Sequence, residues 1–121
     1  MSSALGEFEQ LILLAVLRLG PEAYGVGIRR AIQDHTGRNV SAGAIYTALG
    51  RLENRKFVTS RLGESAPERS GQRRKYYSVE PEGAAALYRT YSDIQRMADG
   101  LVPKLAGLAA ESRRADKSTD A

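Results

Sequence analysis

From Leu5 to Leu19 the chain is apolar on almost every side of a helix, and this stretch limits the possible folds more than any other. Phe8, Leu11, Ile12, Ala15, Val16 and Leu19 recur at helical spacing, Leu13, Leu14 and Leu17 fill the remaining sides, and Gly20-Pro21 ends the run. Such a helix must be covered on two faces, one by its own domain and one by something else. A chain of 121 residues is one domain plus at most an extra element, so the natural second cover is another copy of the same chain.

Several function classes drop out on composition. The chain has no cysteine, which excludes disulfides, thiolate metal sites and thiol chemistry. Its one histidine, His35, reads as a partly buried packing residue and leaves almost no material for a nucleophile–histidine pair or a metal cluster. Paired catalytic carboxylates and a phosphate-binding glycine loop are also missing; Glu7/Glu9 and Glu80/Glu82 are helix-start acids. No enzymatic activity, metal or cofactor is expected. The longest apolar run, Leu11–Leu17, has seven residues, against roughly 20 for a bilayer span, so the expectation is a soluble, cytoplasmic protein with no membrane partner.

The formal charge of +4 is unevenly distributed. Residues 24–75 carry eleven positive and four negative groups, whereas the segments on either side are slightly acidic. Beneath that charge lie two more helical stripes. Tyr24, Ile28, Ala31, Ile32 and His35 end at Gly37, a left-handed cap candidate, and Ser41 is a good N-cap for a third helix reaching about Arg55. In this third helix Ile45, Ala48, Leu49 and Leu52 share one side. The opposite side is Gly43, Thr47, Gly50 and Asn54, flanked by Tyr46 and Arg51. A glycine inside a helix costs about 0.5–1 kcal/mol relative to alanine, so a smooth strip containing Gly50 points to a docking surface rather than an ordinary exposed face.

Phe57–Leu62 and Arg73–Val79 are β-prone runs joined by a long polar loop, which predicts a hairpin. Arg61 and Arg73-Arg74-Lys75 place cations on its arms and Arg69 adds one at its tip. Glu80-Pro81-Glu82-Gly83 opens a last helix. Along it Leu87, Tyr91, Ile94, Ala98, Leu101, Leu105 and Leu108 follow heptad spacing, with a kink or break expected near Gly100–Pro103. From 111 to 121 the chain is small and charged, without an apolar period, and is expected to be disordered.

The predicted fold is mainly α with a small β-hairpin wing: a winged helix-turn-helix over residues 1–80, a dimerisation helix over 81–110 and a tail. A DNA major groove, about 12 Å wide, admits one helix whose outward side chains are short or able to bond base edges, while flanking cations meet phosphate. The stretch Val40-Ser41-Ala42-Gly43-Ala44-Ile45-Tyr46-Thr47-Ala48-Leu49-Gly50-Arg51-Leu52-Glu53, followed by Phe57-Val58, resembles the recognition-helix signature of PadR-family transcriptional regulators. Tyr24-Gly25-Val26 and Arg74-Lys75-Tyr76-Tyr77-Ser78-Val79 with Gly83 match the family's other two landmarks. The resemblance implies a prokaryotic DNA-binding repressor, dimeric through its carboxy-terminal helix packed on the amino-terminal one and in some members released by a small ligand. It also implies that Tyr24, Ser41, Gly43, Tyr46 and Thr47 lie against DNA. Lys56 stands where the family usually has glycine, which predicts a left-handed residue there at a cost of about 1 kcal/mol.

The expected DNA surface is therefore Tyr24, Ser41, Gly43, Tyr46, Thr47, Gly50, Arg51 and Asn54 with Arg61, Arg69, Arg73, Arg74 and Lys75. The expected partner is a pseudo-palindromic duplex. The expected dimer contacts are Leu13 and Leu17 with the seam from Leu87 to Leu108. Two alternatives stay open: a sensor of a small apolar or aromatic effector, with Tyr88, Tyr91 and Met97 lining a dimer cleft, and a winged helix that docks another protein.

Overall fold

A computed structural model of the chain describes residues 5–65 and 73–119. Helix α1 (Glu7–Leu19) is followed by a single 3-10 turn at Gly20–Glu22, then α2 (Gly25–Thr36) and α3 (Ala42–Asn54). Strands β1 (Val58–Ser65) and β2 (Arg73–Val79) form an antiparallel hairpin, and α4 (Pro81–Ala98) and α5 (Val102–Thr119) complete the chain. The order is that of a winged helix-turn-helix with carboxy-terminal helices. The chain divides into two compact units, 1–89 and 90–121, with the division inside α4.

The local signals act as their chemistry requires. Gly37 caps α2 at φ 76°, and the Ser41 hydroxyl accepts the Ala44 amide at 3.0 Å, satisfying one of the open donors at the start of α3. Pro81 is the first residue of α4, where its missing N–H is not needed. Lys56 sits at φ 63°, the left-handed position expected of it, and this lets Phe57 fold back so that its amide reaches the Leu52 carbonyl at 2.9 Å.

In the first unit the inner stripe of α3, Ile45, Ala48, Leu49 and Leu52, is buried against Ile12, Leu13, Ala15 and Val16 of α1 and Ile28 and Ile32 of α2. Phe57, Val58 and Tyr77 close the core from the wing side, and Ala86 and Leu87 from α4. Gly83 allows α4 to begin hard against the chain entering β1. A Cβ there would stand 2.3 Å from the Phe57 carbonyl oxygen, which already accepts the Glu80 amide at 2.8 Å.

Four expectations are corrected. Leu13 is completely buried in the core, because at about 100° per residue it lies only some 60° from Val16; Leu14 and Leu17, at 42% and 55% exposure, hold the outer side instead. Leu87 is likewise a core residue, so neither it nor Leu13 is available to a partner. The segment from 111 is not disordered as far as Thr119: α5 continues through it, favoured by Ala109, Ala110, Glu111, Arg113, Arg114 and Ala115, all helix-tolerant residues needing no apolar face. His35 is exposed near the end of α2 rather than partly buried.

In the second unit α4 ends at Ala98, Gly100 takes φ 77°, and α5 starts with Pro103 in its first turn, so the expected interruption is a true break between helices. Tyr91, Ile94, Leu101, Leu105 and Leu108 are all more than half exposed. Among the described residues no helix is long and apolar enough to cross a membrane.

Two substitutions of opposite sign test this account in urea titrations. Gly83→Ala forces Cβ into backbone and should destabilise the chain by about 1–3 kcal/mol. Lys56→Gly relieves the left-handed residue and should stabilise it by about 1 kcal/mol.

Candidate nucleic-acid interface

Residues of α3 that do not face the core form a smooth surface. Gly43, Thr47, Gly50 and Asn54 are all exposed, and beyond the adjoining residues and backbone of its own helix no described atom lies within 4 Å of the Cβ position of Gly50. Packing therefore gives no reason for glycine there. The Ser41 hydroxyl accepts the Ala44 amide as an N-cap and retains its own proton for donation outward. Arg51 is exposed beside the strip.

Tyr46, half exposed, lays its phenol across the start of α2. A Cβ on Gly25 would be 2.3 Å from the Tyr46 hydroxyl oxygen, so Gly25 provides the space for the ring. Tyr24, Gly25, Val26 and Tyr46 then meet Arg73, Arg74 and Lys75 around one open cleft of about 200 Å³. Three sequence landmarks, far apart in the chain, converge here.

The hairpin cations are more constrained than the sequence suggests. Strand alternation sends Arg73, Lys75 and Tyr77 to one face of β2 and Arg74 and Tyr76 to the other, so the basic run is not one continuous patch. Arg73 donates through Nε to the Gly63 carbonyl at 2.7 Å, beside an irregularity in the pairing between Leu62 and Ser65. Lys75 lies 3.5 Å from the Glu53 carboxylate. The Arg74 guanidinium lies over the Tyr24 ring at 4.6 Å and that of Arg61 over the Tyr76 ring at 4.7 Å. Arg69 falls outside the described residues.

Glu53 is a residue that sequence reasoning missed. On the last turn of α3, its carboxylate accepts the Ser60 hydroxyl of β1 at 2.7 Å and faces Lys75 of β2. One carboxylate thus ties both strands to the helix that carries the smooth strip. Buried Tyr77 lies in the same region, and burial, then the charge of Glu53, then Tyr46, hold its phenol above the ordinary tyrosine range. The signal for Glu53 was an acid among basic segments, but its partners depend on a strand register that sequence does not specify.

The remaining expected residues lie on α1, α4 and α5 or in the turn between the last two. Leu17 is 55% exposed, Tyr91 and Ile94 are exposed on α4 with Ala98 intermediate, and Leu101, Leu105 and Leu108 are exposed beyond the break. Tyr88 and Met97, at 75% and 79%, are exposed too.

The arrangement has counterparts among known proteins. Residues 13–89, more than half of the chain, match the model of the transcriptional regulator PadR-like family. A PadR family transcription regulator from Clostridium difficile superposes with a TM-score of 0.65 at 26% identity, covering 83% of this chain and 99% of the other. A PadR-like transcriptional regulator from Bacillus cereus gives 0.64 at 27% identity, over 82% and 90% of the two chains. One from Eggerthella lenta gives 0.62 at 26%, over 82% and 86%. No curated protein matches the chain. The matched segment contains the smooth α3 strip, the start of α2 and the basic wing, and the chain belongs to the PadR-like family of transcriptional regulators.

Proposed function

We propose that the chain is a dimeric repressor that binds a pseudo-palindromic operator, placing α3 in the major groove and the wing against the flanking backbone. The observation that carries this reading is Gly50: it weakens the helix at a place where the fold leaves open space, so its value lies in what approaches from outside. Gly43, Thr47, Gly50 and Asn54 form the surface against base edges. Tyr24, Ser41, Tyr46, Arg51 and the wing cations Arg73, Arg74 and Lys75 serve the phosphates. The excess positive charge of residues 24–75 supports the assignment and argues against a wing that docks another protein.

Dimerisation is supported by apolar side chains left about half exposed or more: Leu14 and Leu17 on α1, Tyr91 and Ile94 on α4, Leu101 after the break, and Leu105 and Leu108 on α5. Two copies related by a twofold axis read half-sites about 10 base pairs apart, or a multiple of that. Repression follows when the covered operator overlaps a promoter. Relief by a small apolar or aromatic ligand is assigned to Tyr88, Tyr91 and Met97, exposed in the single chain and walled in by the second copy.

Selection of bound fragments from random DNA by the purified protein tests the reading directly; an inverted repeat is expected, and the absence of any enriched sequence would sink it. Gly50→Ala should raise stability in urea by about 0.5–1 kcal/mol while weakening operator binding, an opposition of signs that an ordinary exposed helix would not produce. Arg51→Ala should reduce the log–log salt slope of affinity by about 0.9, the value for one phosphate contact. Sedimentation at micromolar concentration should give a dimer, and Ile94→Glu with Leu101→Glu should give a monomer that remains folded.

A further inference from the structure

On that reading of the wing, we propose that Arg61 and Tyr76 are positioning residues rather than DNA contacts: they set the angle of the hairpin against the start of α2. The Arg61 guanidinium lies 4.7 Å from the centre of the Tyr76 ring, and one of its terminal nitrogens donates to the Pro21 carbonyl at 3.1 Å. The Tyr76 ring meets Tyr24 edge-on, with centroids 5.8 Å apart and planes at 60°. Arg74 covers Tyr24 in turn at 4.6 Å. Cation, ring, ring and cation form a four-member stack from β1 through β2 to the residue that caps α2.

The backbone joins the same elements. The Tyr77 amide donates to the Ala23 carbonyl at 2.8 Å, and Tyr24 forms a bridge with Tyr76. Gly63 makes the stack possible, since a Cβ there would stand 2.4 Å from the Tyr76 ring. On the opposite face of the hairpin Glu53 holds Ser60 and Lys75 to α3. The wing is thus fixed from both sides, by aromatic–cation stacking toward α2 and by a carboxylate toward α3. An arginine whose guanidinium is already stacked and bonded to a carbonyl acts on affinity by holding the wing's other cations in place.

The salt dependence of operator binding distinguishes holding from touching. Arg61→Ala is expected to weaken binding about five- to tenfold at fixed salt, the size of a lost cation–π contact with its hydrogen bond, while leaving the log–log salt slope at the wild-type value. A slope reduced by about 0.9 would make Arg61 a phosphate contact and overturn the proposal. Tyr76→Phe keeps the ring and should bind as wild type, whereas Tyr76→Leu should bind as weakly as Arg61→Ala; loss of affinity in Tyr76→Phe would assign the effect to the hydroxyl and also overturn it. A measurement without DNA separates this claim from the DNA reading itself. Hydrogen exchange at the Tyr77 amide should be faster by about tenfold in Arg61→Ala, with the core amides of α1 unchanged. Unchanged exchange at Tyr77 would show that Arg61 holds nothing, whatever the protein binds, while failure of the wild-type protein to bind any duplex would remove the DNA reading and leave the tether standing.

Discussion

A two-stranded β-ribbon is marginally stable on its own in water, so the orientation of the wing must be imposed from outside it. The imposing contacts come from both sides of the pleat: Glu53 at the end of α3, and the stacked rings and guanidiniums that begin at Tyr24. Tyr77, facing the core from the same strand that carries Arg74 and Tyr76, adds apolar burial to the polar ties. Helix and hairpin therefore share one rigid foundation, the three-helix core packed around Ile45, Leu49 and Leu52.

The first unit was largely legible from the amino-acid order because its elements obey simple periods. The inner stripe of α3, the Ser41 and Gly37 caps and the left-handed Lys56 each follow from a local rule, and each is present, as is the interruption after Ala98 in the second unit. What periodicity could not decide was which side of an all-apolar helix faces inward. Leu13 and Leu17 look equivalent in a list of leucines, but the arc closed by α2 and α3 takes Leu13 and leaves Leu17 outside. Leu87 fell to the core for a similar reason. The seam it begins is continuous in sequence, yet its first member lies where α4 still packs into the core.

The candidate interface was legible in type and less so in detail. Small residues opposite a buried stripe identified the α3 surface without any knowledge of contacts. The roles of the wing cations were hidden because a strand divides consecutive residues between two faces, and because an arginine beside a tyrosine has an intramolecular partner as good as an external one. Glu53 was hidden by its distance in sequence from Ser60 and Lys75. The helicity of residues 111–119 is not legible from apolar periodicity, because alanine, glutamate and arginine favour a helix with no core to pack against.

The double anchoring of the hairpin by Glu53 and by the tyrosine–arginine stack has a consequence for recognition. On the proposed placement of α3 in the major groove, with helix and wing locked to a common body, adjustment of their spacing would fall on the nucleic acid, which would have to present successive grooves at the separation the protein dictates. Stiffness and groove width of the duplex then contribute to selectivity, so base steps that no side chain reaches still alter the energy of the complex.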